Sequence, residues 1–526
     1  MPNTITENAA GRRVPTDING QPAVPYKGVG QHRPTGHRAA PPIRSCADYP
    51  ADGNKVVADL STALKNAGLC DGMTISTHHH FRDGDKVANL VFDNAAALGV
   101  KDLRWFPSAS FPCHEPIIRH MDSGVVHHIE GSMNGALGDY CSHGKMRGMG
   151  VLRSHGGRWQ AIQDGEVHID IAVIAAPTAD PFGNANGCGI TGEDAGATPS
   201  ACGLLGFALA DSIYADHVIV VTDHPVPFPC IPWQIQGNHV DQVVVMDSIG
   251  DPSKIVSGTT RLTRSPDRLL IAEMTARFVR EADLMKKGFS FQAGAGGTAL
   301  AFAIFLKDMM KDAGVKARFV RGGSNKYLVE MLEEGLTDYI LDGQTFDLDG
   351  VRSMRDNAHH QDTSPFTSYN FHGKGCFASM LDVVVLGATE VDIDFNANVV
   401  THSDGRLLHG IGGWQNCLAG RCVILPIPAL RDRVPVIVDR VTTLCGPGEL
   451  IDVVVTERGI AINPRRTDLI DAVKGSKLPI RPIQDMKAEV EALCGGPPAP
   501  PAYGDRLVAA IKWVDGTVID SVHRIG

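Results

Sequence analysis

The feature that most constrains the fold of this chain is an internal repeat. Residues 170–186 and 382–398 align without a gap, and each runs as an apolar strand into a turn with the frame Asp…Asp…Asn-Ala-Asn. Asparagine tolerates the left-handed backbone of sharp turns, so the frame indicates a buried strand followed by such a turn. The strand entries at 69–76 and 284–291 are separated by nearly the same number of residues. A repeat of this kind predicts two related domains.

Strand and helix patterns alternate along both halves of the chain. Continuous apolar runs such as IDIAVIAAP and DHVIVVTD have strand length and suit strands that are buried on both faces. Strand alternating with helix predicts an α/β fold with largely parallel sheets. We therefore predict an N-terminal polar arm at 1–50, a first α/β domain at 51–264 and a second at 265–526. Two local predictions are a helix over 55–69 and a hairpin around Asp515–Gly516.

Composition excludes several classes of protein. The 526 residues carry 49 Lys and Arg against 59 Asp and Glu, so the chain lacks the positive field that nucleic-acid binding usually needs. No run of about 18 apolar residues occurs and the N-terminus has no signal-peptide core, so neither membrane insertion nor export is expected. The 12 cysteines form no CxxC pair, and we expect reduced thiols in a cytoplasmic protein.

Two glycine clusters offer bare backbone amides. Gly294, Gly296 and Gly297 lie in a turn between a predicted strand and a predicted helix, where amides and the helix dipole can hold a phosphate or a thioester oxygen. The spacing is not GxGxxG, so a dinucleotide site is weakly supported, and a tight packing turn is the alternative. Gly412 and Gly413 precede an aromatic residue and suit an oxyanion hole, or else a loop that needs positive φ.

Charged side chains follow two predicted strands. Glu457 and Arg458 come directly after three valines, where residues of an open sheet commonly face a ligand crevice, although an exposed ion pair is equally compatible. In the run THHHFRDGD, adjacent strand side chains face opposite ways, which disfavours three histidines on one metal ion. We expect His78 and His80 to line a polar pocket in which Arg82 holds an anion, with no metal.

In this order, the clusters and the blocks around them resemble the citrate lyase alpha chain family across nearly the whole sequence. The characteristic blocks are DGMTISTHHHFRDGD, FPSASFPCHEPI, DPFGNANG, FQAGAGGTALA, GGSNKYLVEMLEEGL, YNFHGKGCFASMLDVVVLG and VVTERGIAINPRR. The second half is more distantly similar to acetyl-CoA hydrolases and carboxylate CoA-transferases. The resemblance implies two tandem CoA-transferase-like domains of the NagB/RpiA type, each an open α/β domain with a largely parallel sheet.

The family resemblance also implies a reaction, in which an acetyl thioester on a carrier protein and citrate become a citryl thioester and acetate. The transfer would pass through a mixed anhydride. Both steps develop an oxyanion, and we place the stabilising amides at Gly412 and Gly413. Citrate carries three carboxylates and needs bidentate cations, for which Arg82 and Arg458 are the candidates, so citrate would lie between the domains.

An aspartate marks a departure from the distant relatives. There, a strand of the form TExxxDG carries a glutamate that becomes acylated, whereas the matching stretch here is TDYILDG, with Asp338 in the glutamate position. Aspartate is one methylene shorter, so its carboxylate would lie farther from the thioester carbonyl, which impairs the geometry of attack. We expect Asp338 and Glu457 to orient the arginines or exclude water, with Asp338 as covalent nucleophile the minority alternative.

The resemblance implies partners as well. These are a beta subunit that cleaves the citryl thioester and a gamma subunit, an acidic acyl carrier protein that bears a CoA-like prosthetic group, within an oligomer. The chain itself should hold no permanent cofactor. A basic stretch in the N-terminal arm, comprising Lys27, Arg33, Arg38 and Arg44, either contacts the carrier or is a solvated arm.

Three other functions remain open at this level. The nearest is a carboxylate CoA-transferase or acyl-CoA hydrolase that uses free CoA and an acylated carboxylate. A non-catalytic scaffold subunit and a nicotinamide oxidoreductase are the others. The glycine clusters with Arg82, Glu457 and Arg458 disfavour a scaffold, and the imperfect glycine turn disfavours the oxidoreductase.

Overall fold

A computed structural model describes residues 4–32, 40–78, 80–189, 201–256, 260–294, 296–371 and 373–526. Arg33, Arg38 and His79 lie outside the described residues. Within the described part, no helix has the length and apolar character needed to span a membrane. All twelve cysteines are described, and all are free thiols.

Strands occur in both halves of the described part of the chain. Those of the first half are β1 (Ile5–Glu7), β2 (Arg13–Pro15), β3 (Asp17–Ile18), β4 (Gln21–Pro22), β5 (Val56–Val57), β6 (Thr74–Thr77), β7 (Leu103–Pro107), β8 (Val126–Ile129), β9 (Gly150–Leu152), β10 (Ile171–Ala175), β11 (Thr178–Ala179), β12 (Ala185–Asn186), β13 (His217–Thr222) and β14 (Gln242–Val245). Those of the second half are β15 (Ser290–Ala293), β16 (Phe319–Ser324), β17 (Ile340–Thr345), β18 (His360–Asp362), β19 (Val383–Val385), β20 (Glu390–Asp392), β21 (Ala397–Asn398), β22 (Val423–Pro426), β23 (Leu430–Arg431), β24 (Val434–Pro435), β25 (Ile437–Val438), β26 (Val453–Thr456), β27 (Gly459–Ile462), β28 (Tyr503–Lys512) and β29 (Val518–Ile525).

Helices connect the strands of both halves. They are α1 (Leu60–Asn66), α2 (Val87–Ala97), α3 (Ile118–Asp122), α4 (Ala136–Ser142), α5 (His155–Gln163), α6 (Leu209–Tyr214), α7 (Pro266–Glu281), α8 (Gly297–Ala313), α9 (Lys326–Glu333), α10 (Leu348–Asp356), α11 (Pro365–Tyr369), α12 (Trp414–Cys417), α13 (Thr467–Ala472) and α14 (Ile483–Cys494). The predicted helix over 55–69 is shorter than expected. Val56 belongs to β5, and the carboxylate of Asp59 caps α1 by accepting from the Thr62 amide at 2.7 Å.

The first half forms a seven-stranded sheet in the order β5-β14-β13-β10-β6-β7-β8, with every pairing parallel. The chain leaves β6 in one direction through β7 and β8, then returns on the other side of β6 with β10. The neighbours β6 and β10 therefore form a topological switch point, beyond whose carboxyl ends open α/β sheets bind ligands. His78, His80 and Arg82 follow β6 directly, so the fold places them at this switch point.

The second half repeats this topology in an eight-stranded sheet, with the order β18-β17-β16-β15-β19-β22-β26-β27. Its strands are parallel except at the β26–β27 pair. Six strands correspond in position, from β14 to β8 in the first sheet and from β26 to β17 in the second, and the second switch point lies between β15 and β19. The predicted α/β class with largely parallel sheets is confirmed.

The repeated aspartates and asparagines make the same hydrogen bonds in both halves. Asp170 accepts from the Thr74 amide at 2.7 Å, and Asp382 accepts from the Ser290 amide at 2.9 Å. The turns that follow match as well: Asn184 N to Asp180 Oδ1 (3.0 Å), Asn396 N to Asp392 Oδ1 (2.9 Å), Gly237 N to Asn184 Oδ1 (2.9 Å) and Gly448 N to Asn396 Oδ1 (2.9 Å). The sequence repeat is therefore a structural repeat.

The second sheet is buried on both faces, as its uninterrupted apolar strands require. One face, with Phe291, Val320 and Val383, packs under α7, α8 and α9. The other face, with Val384 and Val454, belongs to a larger core that is continuous with the first half. The two halves therefore share one hydrophobic core, and any polar residue on the second face of the sheet lies at the interdomain interface.

The termini of the chain pack together. The hairpin β28–β29 joins the first half, because β28 pairs in parallel with β9. The sequence assigns this hairpin to the second domain, but its apolar residues complete the core of the first. The N-terminal arm is packed rather than loose over 4–32: Val14 and Ile18 form a small core with Val518 and neighbouring residues of the hairpin.

Candidate active site

The carboxyl ends of the two sheets meet at the interdomain interface. The hydroxyl of Thr345, at the end of β17, donates to the carbonyl of Cys202 in the first half at 3.1 Å. The next residue, Phe346, lies under the guanidinium of Arg82, 5.0 Å from its ring centroid. Two sheet edges that bind ligands in open α/β proteins are thus apposed, and the candidate site lies between them.

Arg82 is a buried cation at this interface. Its side chain packs between the rings of Phe111, at 4.9 Å, and Phe346, and only 7% of the residue is exposed. Burial lowers the pKa of Arg82 to about 10, with the nearby Asp83 opposing the shift, so the group stays charged at neutral pH. The backbone has φ +53, a conformation that non-glycine residues adopt rarely. Arg82 therefore lies at the carboxyl end of β6, and its role in holding an anion stays a prediction.

The two described histidines of the triple run stack on each other. The rings of His78 and His80 are 5.4 Å apart and nearly parallel. Burial lowers the pKa of both, against the opposing charge of Asp211, so both are neutral at pH 7. Neither belongs to the group of described residues with metal-ligand spacing, which is His168, Asp170 and Asp216.

A buried ion-pair network anchors His78. Asp211, on α6, lies 3.1 Å from His78 Nε2 and accepts two bonds from Arg158, on α5, at 2.7 and 2.8 Å. Arg158 also donates to Ser76 on β6 at 2.7 Å, and Ser76 donates to Asp211. Burial raises the pKa of the Asp211 carboxyl, but the charge of Arg158 outweighs it and lowers the pKa overall. The network fixes the loop after β6 to two helices.

The glycine loop before α12 crosses to the first half. The Gly412 carbonyl accepts from the amide of His155, the first residue of α5, at 2.8 Å, and Gly412 pairs with Ser154 in an isolated bridge. Gly412 has φ +62, so the loop contains the positive φ that its glycines suggested. The Gly413 amide donates to no acceptor within the described part of the chain, and the Tyr369 hydroxyl lies 2.7 Å from where a Gly413 β-carbon would stand. Gly413 is the amide that can face a ligand.

The other glycine cluster has divided roles. The Gly294 amide donates to the Val385 carbonyl at 2.9 Å and so belongs to the sheet. Gly297 is packed against the linker, since an added β-carbon would lie 2.5 Å from the Arg261 carbonyl oxygen. Gly296 caps the N-terminus of α8, a helix of 17 residues that begins at the β15–β19 switch point. Tight packing accounts for Gly297, and a thioester contact remains a prediction for the first turn of α8.

Glu457 and Arg458 lie away from Arg82. The Glu457 carboxylate accepts from the Ala429 amide at 2.9 Å, and Arg458 lies 3.6 Å from both Glu457 and Glu489 of α14. They end β26, five positions across the sheet from β17, whose end contacts Arg82. At about 4.8 Å per strand the ends are about 24 Å apart, too far for one citrate to bridge. The structure does not bring the two predicted citrate-binding arginines together.

Asp338 lies at the opposite end of its strand from the site. It precedes β17, is half exposed, and pairs with Lys316 at 2.6 Å rather than with an arginine. At the carboxyl end of β17, residues 344–350 read QTFDLDG and show the spacing of TExxxDG, with Thr345 in the glutamate position. Thr345, and not Asp338, therefore lies at the end of β17 that contacts the first half, and a role for Asp338 in the reaction stays a prediction.

Sequence reasoning missed Arg321. This arginine lies inside β16, pairs in register with Gln292 of β15, and is completely buried. Its guanidinium stacks on the ring of Tyr369 at 4.6 Å, beside Gly413. One signal was present, since ARFVRGG carries a charge within an apolar strand that ends in two glycines. The same argument that singled out Arg458 applies to it.

Two open α/β halves with matching sheet topology define a tandem α/β protein. The chain belongs to the citrate lyase alpha subunit family, because the family described as citrate lyase, alpha subunit, matches residues 53–525. It is 41% identical over 473 residues to the citrate lyase alpha chain of Klebsiella pneumoniae, covering 90% of this chain and 91% of that one. Identity to the Escherichia coli K12 alpha chain is 38% over 477 residues, 90% of this chain and 92% of that one.

Solved structures agree with the family assignment. An alpha subunit of citrate lyase from Streptococcus mutans, solved in complex with citrate, superposes with a TM-score of 0.91 at 40% identity, covering 99% of this chain and 100% of that chain. The malonate decarboxylase alpha subunit from Acinetobacter baumannii has a TM-score of 0.61 at 16% identity, covering 84% and 88% of the two chains. The second similarity concerns the fold alone.

His155 makes the stability of the interface dependent on pH. Burial lowers its pKa to about 3, helped by the charge of Arg158, whereas an unfolded histidine titrates near 6.5. The folded pKa is the lower one, so its contribution to stability is complete above pH 6.5 and is lost as pH falls from 6.5 toward 3. Replacing His155 by Gln should flatten the fall in unfolding free energy by about 1.2 kcal/mol per pH unit between pH 6 and 5. Urea unfolding measures this, and parallel pH profiles for the two proteins would contradict it.

Proposed function

We propose that this chain is the citrate:acyl-carrier-protein transferase of citrate lyase, exchanging acetate for citrate on a carrier-bound thioester. The observation that carries the proposal is the family match over residues 53–525. The interdomain geometry supports it, because two buried arginines and a free backbone amide, those of Arg82, Arg321 and Gly413, lie around the apposed strand ends. Cations of this kind suit a polycarboxylate, and an amide suits a developing oxyanion.

The chemistry proceeds in two balanced steps. A citrate carboxylate oxygen attacks the acetyl thioester carbonyl, the C–S bond breaks, and a citryl–acetyl anhydride and the carrier thiolate result. The thiolate then attacks the citryl carbonyl of the anhydride, forming the citryl thioester and releasing acetate. Each step passes through a tetrahedral oxyanion, which the Gly413 amide stabilises.

Direct transfer requires no acylated enzyme side chain. Thr345 ends β17 at the interface with the first half, and its hydroxyl is engaged with the Cys202 carbonyl. Threonine offers no carboxylate for an anhydride, and Asp338 is at the far end of the strand, paired with Lys316. These contacts support attack by citrate itself.

The chain works within a multi-subunit citrate lyase, with no permanent cofactor of its own. The carrier protein brings the CoA-like prosthetic group as part of its thioester, and a beta subunit consumes the citryl thioester. Of the basic arm residues proposed to meet the carrier, Arg44 is committed to the first half through Asp241, at 2.5 Å. Lys27 is exposed and is the described residue of that stretch available to a partner.

Trapping an acylated side chain tests direct transfer. The chain is incubated with an acetyl thioester, without citrate, and then treated with tritiated borohydride, which reduces an activated side-chain carboxyl group to a tritium-labelled alcohol. We expect no label on the protein after denaturation, because no carboxylate stands at the Thr345 position. Peptide mapping of any retained label, above all to Asp338, would contradict the mechanism.

The carrier-bound thioester distinguishes the proposal from a transferase that uses free CoA. Transfer to citrate is measured with acetyl carrier protein and with acetyl-CoA at matched concentrations. We expect kcat/KM to be higher for the carrier-bound substrate. Equal or higher kcat/KM with free acetyl-CoA favours a carboxylate CoA-transferase, and no transfer from either substrate favours a scaffold subunit.

A further inference from the structure

Arg321 is a completely buried cation that makes no ion pair with any described carboxylate. It lies on the face of β16 that belongs to the interdomain core. A buried charge without a paired carboxylate is costly, and proteins seldom retain one without a role. The contacts that it does make, with the ring and hydroxyl of Tyr369 and with the Ser368 carbonyl at 3.5 Å, do not neutralise it.

The two unused donors of Arg321 are on the same edge of the guanidinium. Nη1 points to the Ser368 carbonyl, whereas Nε and Nη2 have no hydrogen-bond partner in the described chain. The Nε–H and Nη2–H bonds run side by side, which is the fork that binds both oxygens of a carboxylate. The open edge of the side chain therefore has the shape of a carboxylate site.

Other buried polar atoms without partners lie on the elements around this edge. They are Gln292 Oε1 on β15, Gln344 Nε2 on β17 and Asn416 Nδ2 on α12. Native structures satisfy most buried polar groups, so several unsatisfied ones near the same strand ends point to a polar ligand. Gln344 and Asn416 supply N–H donors, which suit the oxygens of a carboxylate.

We propose that Arg321 binds one carboxylate of the tricarboxylate substrate in a bidentate fork, and so positions a second carboxylate for attack beside Gly413. The inference rests on the proposed function and assigns to Arg321 the citrate-binding role that was predicted for Arg458. A carboxylate held by two charge-assisted hydrogen bonds is a poorer nucleophile, so the one on Arg321 is a spectator. Tyr369 joins the two parts of the site, since its ring contacts Arg321 and its hydroxyl adjoins Gly413.

Substituting Arg321 tests the proposal through binding as well as turnover. Arg321→Lys keeps the charge and loses the fork, and Arg321→Gln loses both. We expect the Kd for citrate, measured calorimetrically on the full chain, to rise about 10-fold and about 100-fold, with parallel rises in the citrate KM. The KM for the acetyl thioester should change less than about threefold. Arg318→Lys, at an exposed arginine just before the same strand, is the control and should bind citrate normally.

The outcomes separate this inference from the proposed function. If the wild-type chain transfers acetyl groups to citrate and the Arg321 variants bind citrate normally, Arg321 is structural and the inference fails alone. If the wild-type chain transfers nothing, the proposed function fails. The calorimetric Kd for citrate still decides whether Arg321 binds citrate. Should both variants fail to fold, a wild-type crystal soaked with citrate decides: a carboxylate within about 3.2 Å of Nε and Nη2 supports the inference, and citrate elsewhere overturns it.

Discussion

Replacing Gly413 by Ala should lower the kcat for acyl transfer to citrate by about 100- to 1,000-fold, the cost of one lost oxyanion donor in other acyl-transfer enzymes. A β-carbon at this position would stand 2.7 Å from the Tyr369 hydroxyl, so the loop must shift and its amide moves with it. Steady-state kinetics with acetyl carrier protein and citrate measures the effect. The KM for citrate should change far less, because the amide acts on the transition state.

Gly375→Ala is the matched control for this substitution. Gly375 is exposed, and nothing lies within 4 Å of the place that its β-carbon would occupy. Its kcat should equal that of the wild type, and both variants should unfold at the same temperature as the parent to within a few degrees. A Gly413→Ala protein that is folded and retains more than about a tenth of the wild-type kcat would remove Gly413 from the oxyanion hole.

Replacing Asp211 by Asn should destabilise the protein by about 3–5 kcal/mol. The substitution keeps the shape of the side chain but leaves the Arg158 guanidinium buried without its bidentate carboxylate. Removing one partner of a buried pair exposes the other to the full desolvation penalty, which is why the effect is large. Equilibrium unfolding in urea at pH 7 measures it, and the loop that carries His78 should become accessible to hydrogen exchange.

The exposed pair Asp283–Lys286 provides the comparison. Its side chains are mostly solvated, and the charges are 2.7 Å apart. Asp283→Asn should change the unfolding free energy by less than about 0.5 kcal/mol, because solvated ion pairs contribute little. If Asp211→Asn were as mild as Asp283→Asn, the buried network would not hold the loop after β6.

Much of the fold follows from the sequence because strands that are buried on both faces of a parallel sheet are uninterrupted apolar runs. Strands such as β10 and β13 are continuous apolar runs, α7 begins at Pro266 directly after Ser265, and α8 ends directly before Gly314. The internal repeat correctly indicated that the second half has the same sheet topology as the first. The errors are local: Val56 enters β5 because Asp59, not the apolar stripe, decides where α1 begins.

The site was less predictable because it depends on register and on contacts between the halves. TDYILDG and QTFDLDG share their spacing, and only the position of β17 in the sheet shows that Thr345, not Asp338, faces the first half. Arg82 and Arg458 both follow strands, yet the strand order places them far apart. Arg321 is a single charge in an apolar strand, and its role depends on the Tyr369 ring, 48 residues later in the chain.

The pairing of β28 with β9 has a consequence for synthesis on the ribosome. The strand β9 and the N-terminal arm emerge early, but the hairpin that covers them is made about 350 residues after β9. At about 5–20 residues per second, the nascent first half waits about 20–70 s with that apolar surface uncovered. The two halves therefore do not fold independently in sequence, since the last residues to be synthesised complete the first domain. Protection by chaperones matters most during that interval.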